Sequence, residues 1–200
     1  FTESGGTFNA PANLNVAGNV NLTGGAFNAN AGTVNLDGNG ALTTAGNTLH
    51  HLNSTGTVNT QDQLNLAGNF TQSSGTFTAN QDMDVNGAFT ESGGTFNAPA
   101  NLNVAGDFNH TAGTFNHNNG TVTLDGTNQQ VNGSSTFFDL TKTVTSADTL
   151  TFDHTATQTV LGTLTLTGTS GNLLSLRSSS PGSQWELEAQ GIRNISFVDV

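Results

Sequence analysis

The sequence FTESGGTFNAPANLNVAG, at residues 1–18, recurs letter for letter at residues 89–106. The same 88-residue offset continues with substitutions, so that GAFNANAGTVNLDG at 25–38 corresponds to GTFNHNNGTVTLDG at 113–126. The correspondence fades after about residue 141. A long internal repeat of this kind indicates that the chain uses one structural unit several times.

A shorter repeat, with a 19-residue period, runs inside the long one. The tripeptide Gly-Thr-Phe, or a close variant, starts at Gly56, Gly75, Gly94 and Gly113. A constant period near this length is typical of a solenoid, because each unit can bury its apolar face only against its neighbours. The step from Gly25 to Gly56 is longer than the others, and the sequence leaves open whether its additional part forms a loop or an added strand.

The local pattern predicts strands rather than helices. Segments such as LNV (14–16), LNL (64–66) and TVTL (121–124) alternate apolar with polar residues, and Gly or Asn-Gly separates them as turn residues do. We therefore predict an all-β fold, a right-handed parallel β-helix (β-solenoid), with coils of about 19–22 residues and three short strands in each. The residues predicted to point inward are Phe8, Leu14, Val16, Phe77, Phe96, Leu102 and Val104.

The chain divides into a regular part and a less regular part. Residues 1–140 form a regular solenoid whose 88-residue super-repeat covers 1–88 and then 89–140 onward, whereas 141–200 are Thr-rich and are expected to continue as less regular coils. The sequence begins inside a repeat and stops in a strand pattern, and neither end has the polar character of a cap. We expect further coils, or other copies of the chain, beyond both ends.

The composition restricts the partners of the protein. There are 14 Asp and Glu against three cations (Lys142, Arg177 and Arg193), which gives a net charge of −11. So few cations cannot neutralise a phosphate backbone, and this argues against nucleic acid and against anionic membrane surfaces. The chain has no cysteine, so disulfides, thiolate metal sites and cysteine nucleophiles are excluded. No apolar run reaches membrane-spanning length, so we expect no membrane insertion in this segment.

The acidic residues that come closest to forming a catalytic or calcium site are Asp62, Asp82 and Asp84, which could lie on adjacent coils. No Arg or Lys lies in this region to stabilise a developing anion, and the spacing fits no catalytic signature. We interpret these residues as solvated corner residues. The prediction is that the chain is not an enzyme and has no catalytic residue, no cofactor and no metal site.

Other titratable residues are interpreted in the same way. Asp37 and Asp125 occupy the same Leu-Asp-Gly turn in the two long repeats, where Asp hydrogen-bonds to the backbone. Glu3 and Glu91 are likewise copies of one another within the TESGG segment, which we interpret as a turn.

The histidines offer one alternative to that interpretation. His110 and His117 could face each other across a coil as metal ligands, but their counterparts in the first long repeat are not histidines. We expect surface or half-buried side chains. The pair His50 and His51 is interpreted as packing and turn.

Several stretches resemble the repeats of large, secreted, surface-anchored bacterial proteins: GGTFNAPANLNVAGNV, GTFNHNNGTVTLDG, STFFDLT and LLSLRSSSPGSQWELEAQGIRNISFVDV. The 19-residue period is similar to that of filamentous-haemagglutinin-type adhesins, which form right-handed parallel β-helices. This resemblance implies an extracellular or cell-surface stalk or fibre with a structural or adhesive role. The implied partners are the chain itself or adjacent coils, by end-to-end stacking, and host or environmental surfaces or glycans.

Two other functions remain open from the sequence. Regular outward Thr-x-Thr rows on a flat solenoid face can bind ice, and the nearest approach here is Thr149-Leu-Thr151 and Thr163-Leu-Thr165. These pairs do not recur at coil spacing through the regular part of the chain, 1–140. A polysaccharide-binding or -degrading β-helix would instead have a groove lined by acids together with a base.

Overall fold

A computed structural model describes all residues from Phe1 to Val200, and every regular element in it is a β-strand. The strands are β1 (Thr2–Asn9), β2 (Asn13–Val16), β3 (Val20–Asn28), β4 (Thr33–Leu36), β5 (Asn39–Thr43), β6 (Thr48–Leu49), β7 (His51–Ser54), β8 (Thr57–Thr60), β9 (Leu64–Leu66), β10 (Phe70–Gln72), β11 (Thr76–Thr78), β12 (Met83–Val85), β13 (Phe89–Asn97), β14 (Asn101–Val104), β15 (Phe108–Asn116), β16 (Thr121–Leu124), β17 (Gln129–Asn132), β18 (Ser135–Phe137), β19 (Asp139–Thr143), β20 (Asp148–Phe152), β21 (Thr157–Val160), β22 (Thr163–Thr167), β23 (Leu174–Ser178), β24 (Glu186–Ala189), β25 (Ile192–Ser196) and β26 (Val198–Asp199).

The strands stack in parallel on three faces of a solenoid, which confirms the predicted fold class. The first face begins with the starts of β1 and β3 and continues through β5, β8 and β11. The C-terminal halves of β13 and β15 come next, followed by β18, β21 and β24. The second face is an eight-stranded sheet of β6, β9, β12, β14, β16, β19, β22 and β25. The third face contains β2, β4, β7, β10, the starts of β13 and β15, and then β17, β20, β23 and β26.

The length of a turn changes along the chain. Phe70 pairs with Phe89 and Phe89 with Phe108, so that each turn there has the 19-residue length of the short repeat. In the C-terminal part Leu150 pairs with Leu176, so that a turn there is several residues longer. The later turns are longer because irregular corner segments separate their strands, for example between β23 and β24.

The interval between Gly25 and Gly56 contains strands and no long loop. It holds the end of β3 and all of β4, β5, β6 and β7. The part of this interval that exceeds one regular turn therefore supplies added strands. As a result the second copy of the long repeat is displaced by one face: β2 (Asn13–Val16) lies on the third face, whereas the identical β14 (Asn101–Val104) lies on the second.

Phenylalanine rings form the centre of a 38-residue buried cluster. Phe70, Phe89 and Phe108 stack along the third face, with ring centroids 5.3 and 4.9 Å apart. Phe77, Phe96 and Phe115 stack along the first face at 5.7 and 5.8 Å. The two stacks meet edge to face, since the rings of Phe89 and Phe96 lie 4.8 Å apart at 81°. The predicted inward residues do point inward, although Phe8 and Leu14, in the first turn, are only half-buried.

The repeated glycines form one corner of the solenoid. Gly75, Gly94 and Gly113 stack on successive turns between the third and first faces, and all have positive φ. A Cβ added to Gly94, whose φ is 88°, would lie 2.5 Å from the carbonyl oxygen of Gly75. Only glycine combines this backbone conformation with so close an approach between turns.

Candidate functional site

The three acidic residues proposed as the nearest approach to a catalytic cluster do not converge. The Asp62 carboxylate accepts hydrogen bonds from the backbone N–H groups of Thr44 and Ala45, at 3.0 and 2.5 Å, and so closes a corner. Asp82 accepts from the side-chain amide of Asn101 at 3.0 Å. Asp84 lies on the second face, in the row of outward residues. Each carboxylate thus has its own local surroundings.

The histidines are likewise dispersed. His110 is half-buried, with its Nδ1 3.2 Å from the hydroxyl of Ser135, whereas the ring of His117 stacks on Phe138 at 5.9 Å. His51 accepts a hydrogen bond from the backbone of Asn69 through Nδ1, at 2.9 Å. No group of three or more His, Asp or Glu side chains is arranged to hold a metal ion.

Glu3 and Glu91 were interpreted as turn residues, and this was wrong. Both lie within strands with side chains that point into the core, and Glu91 is fully buried. Burial raises the pKa of Glu91 to about 7, against the lowering effect of hydrogen bonds from the backbone of Thr114 and Phe96. A proton-binding carboxyl therefore lies inside the solenoid.

Lys142 forms a second buried polar cluster that sequence reasoning missed. Its ammonium group is fully buried, 2.8 Å from a carboxylate oxygen of Asp148 and 2.8 Å from the side-chain oxygen of Gln129. Loss of solvation acts to raise the pKa of Asp148, but hydrogen bonds from Lys142 and from the backbone of Asn128 and Thr149 outweigh it, so the pKa is lowered. The carbonyl of Gly126 accepts a further hydrogen bond from the ammonium, so the buried cation has three oxygen partners.

The outer surface of the second face carries an ordered row of hydroxyl groups. Thr123, Thr141 and Thr165 pair directly across strands β16, β19 and β22. Thr143 pairs with Thr167 in the next outward row. In-register parallel strands place such groups about 4.8 Å apart across the sheet and about 6.6 Å apart along a strand. Each of the three strands carries a Thr-x-Thr pair, but only one row is threonine on all three turns, because Thr121 faces Asp139. Of these threonines only Thr121 and Thr123 precede residue 141.

The last turn of the solenoid exposes an apolar surface. Ile192 and Val200 are 64% and 81% exposed, and Ile195 and Phe197 are also exposed. Beside them lies a hollow of about 350 Å³ lined mostly by apolar side chains, among them Trp185. The strands of this turn, β24, β25 and β26, each pair with a single neighbour.

The first turn is open in the same sense. β2 pairs only with β4, and β1 pairs only with β3, so one edge of each strand carries unpaired backbone groups. Interior strands such as β14 and β16 pair on both sides. Inside the rod, β6 and β18 also pair on one side only, but a further turn covers the other side of each strand. The end of β3 lies beside β6, and β15 lies beside β18. Only at the two ends does a whole turn lack a neighbour.

Comparison with known proteins gives no match: no protein family, no curated protein and no solved structure is significantly similar to the chain. The chain forms no helix long and apolar enough to cross a membrane. The resemblance to haemagglutinin-type adhesins therefore rests on the repeat pattern of the sequence alone.

Proposed function

We propose that the chain is a structural or adhesive segment of a large extracellular bacterial surface or fibre protein, an elongated rod that extends by β-strand stacking. The observation that carries this proposal is the continuous stacking of parallel strands on three faces along the chain. Unpaired N–H and C=O groups on a strand edge readily accept another strand, and native proteins normally cover such edges. Strand addition supplies backbone hydrogen bonds, and the stacked side chains set the register.

The apolar last turn supports the same proposal. Each turn in the interior buries its inward side chains against turns above and below it, as Phe96 does against Phe77 and Phe115. In the last turn, Ile195 and Val198 have a turn on one side only. Covering exposed apolar surface is favourable by roughly 25 cal/mol for each Å² that is removed from water.

The sides of the rod are polar and repetitive. Asn15, Asn35 and Asn53 form an outward ladder whose side-chain hydrogen bonds are 2.7 and 2.9 Å long. Such ladders stabilise stacked strands. A rod held together in this way suits a stalk, and the acidic, cysteine-free composition is consistent with an exported protein.

Analytical ultracentrifugation over a wide concentration range tests the proposal. We expect the isolated chain to associate end to end, and we expect Ile195→Lys combined with Phe197→Lys to weaken this association. Asn53→Lys places a charge on the side of the rod and serves as the matched control, with no effect on association. A strictly monomeric species whose hydrogen-exchange protection at 1–18 equals that at 89–106 would contradict the proposal. Electron microscopy of the native protein then distinguishes uniform fibres from isolated cell-surface stalks.

A second candidate function is ice binding, and the aligned threonines of β16, β19 and β22 favour it. Thr123, Thr141 and Thr165 form one row of hydroxyl and methyl groups across the three strands, with the pair Thr143 and Thr167 beside it. The test is thermal hysteresis of a solution of the protein, with Thr141→Lys as the disrupting variant and Asn53→Lys, on another face, as the control. Equal hysteresis of the two variants, or none in the unmodified protein, would exclude this function.

A further inference from the structure

A column of polar side chains runs inside the solenoid at the corner where the third face meets the first. Ser54 pairs with Gln72, Gln72 with Glu91 and Glu91 with His110 on successive turns. The column continues through Ser135, which lies 3.2 Å from His110. All of these side chains are buried except His110, which is 13% exposed.

Several polar atoms of the column have no hydrogen-bond partner within the protein. They are the hydroxyl of Ser54, Oε1 of Gln72, Oε2 of Glu91 and Nε2 of His110, and all are buried. The amide nitrogen of Gln72 is already used, since it donates to the carbonyl of Thr95 at 2.9 Å. The tautomer of His110 decides the role of Nε2: it is an acceptor when Nδ1 donates to Ser135, and it carries the hydrogen when Ser135 donates to Nδ1. In the first tautomer Gln72, Glu91 and His110 all present acceptors, and an added donor removes the cost of leaving them unpaired.

The donor that fits is a proton on Glu91. A protonated carboxyl donates one hydrogen bond, and Glu91 has Gln72 on one neighbouring turn and His110, whose Nε2 lies 3.9 Å away, on the other. A zinc ion would need about four ligands, and Glu91 and His110 supply two. The raised pKa of Glu91, about 7, agrees with a carboxyl that keeps its proton.

We propose that Glu91 keeps its proton in the folded rod and that loss of this proton as the pH rises loosens the turns from Gln72 to Ser135. The strands packed against β13, which are β10, β11 and β15, contain no titratable residue other than His110. No Lys or Arg therefore lies on these strands to stabilise a bare Glu91 carboxylate. The proton sits where the two stacks of phenylalanine rings meet the corner, so its loss acts on the centre of the core.

The sign of the pH effect follows from the raised pKa. Between the ordinary pKa of a glutamate, 4.5, and about 7, the folded chain binds a proton that the unfolded chain has released. The stabilisation is therefore complete in mild acid and is lost as the pH rises through about 7. Above that pH both states are deprotonated, and this contribution no longer changes.

Carbon-13 NMR of the glutamate carboxyls tests the proposal directly, because the chain has only four glutamates, Glu3, Glu91, Glu186 and Glu188. We expect one resonance to titrate about 2 pH units above the value of an unstructured glutamate and to be absent from Glu91→Gln. If that variant does not fold, Glu3→Gln assigns the signal by leaving it in place. A Glu91 resonance that titrates like an unstructured glutamate would overturn the proposal.

Thermal denaturation provides an independent readout. We expect the melting temperature of the unmodified protein to fall between pH 5 and pH 8.5 and that of Glu91→Gln to change much less, because glutamine cannot lose a proton. Glu188→Gln removes an exposed carboxylate and should keep the pH dependence of the unmodified protein. Equal pH dependence in Glu91→Gln and the unmodified protein would also overturn the proposal.

Discussion

Replacing Phe96 by alanine should be among the most destabilising single changes in the chain. Its ring is fully buried, stacks on Phe77 and Phe115, and meets Phe70 and Phe89 edge to face at 5.4 and 4.8 Å. Truncation of a buried phenylalanine costs about 3–5 kcal/mol, which includes the cavity that is left. We expect the upper part of this range because backbone ladders hold the neighbouring turns about 4.8 Å apart, so they cannot collapse into the cavity.

Urea denaturation followed by circular dichroism measures this cost, with two matched controls. Phe138→Ala removes the same atoms from a half-buried ring that stacks on His117, and we expect about 1 kcal/mol or less because little apolar surface is lost. Asn97→Ala removes the outward neighbour of Phe96, which bonds to Thr78 and Asn116 at 3.0 and 2.8 Å. Loss of these exchangeable hydrogen bonds should cost about 1 kcal/mol.

The order of the three variants is the decisive result. If Asn97→Ala destabilised the protein more than Phe96→Ala, the inward and outward positions of this strand would be reversed, and the strand register would be shifted by one residue. If Phe96→Ala and Phe138→Ala had equal effects, the stacked rings would not be the source of stability at this point of the rod.

Three further changes test other parts of the structure by the same denaturation assay. Lys142→Ala leaves the Asp148 carboxylate buried without its partner and should cost about 3–5 kcal/mol. The pKa of Asp148 is lowered in the unmodified fold, so the stabilisation that this group contributes is present above the ordinary aspartate pKa and should be lost on acidification. The Lys142→Ala variant should not show this loss. Gly94→Ala places a Cβ on a residue with positive φ and against the backbone of the adjacent turn, so it should cost at least about 1 kcal/mol. A neutral effect would mean that the backbone at this corner can shift. Asp62→Asn should lower stability by about 1 kcal/mol because it weakens a charged hydrogen-bond acceptor, and Asp84→Asn, on the open face, should change it little; the reverse order would contradict the corner assignment.

The fold could be predicted from the sequence because two independent periods agree. The 19-residue step fixes the turn of the solenoid, and the alternation around Phe96 fixes which side chains enter it. The interval from Gly25 to Gly56 could not be resolved in the same way. Its one copy of the motif, Gly32-Thr33-Val34, does not keep the 19-residue spacing, and only the pairing of β4 with β7 and of β5 with β8 shows that its segments are strands.

The buried ionisable groups were missed although the sequence contained a signal for them. In Phe89-Thr90-Glu91 the alternation that places Phe89 inward also places Glu91 inward. The same holds for Lys142, two positions after the buried Leu140. A charged residue is interpreted as exposed because burying it is costly, and here that general expectation overrode the local alternation. The partners that make such burial tolerable lie one turn away or more, at distances in sequence that no short motif records.

The two identical 18-residue copies lie on different faces, so the sequence of a segment does not by itself determine which face of the solenoid it occupies. Thr2 belongs to the first face, whereas its copy Thr90 belongs to the third, and in both copies the following glutamate turns inward. Every face offers the same environment to a short strand, with alternate residues directed to the axis and a glycine or asparagine at the corner. The same residues therefore fit any face, and the turn on which they stack decides which one they occupy. The 88-residue unit stops one face short of a whole number of turns. In an array of such units, each copy of a given segment would therefore lie one face away from the preceding copy, and the fourth copy would lie on the same face as the first.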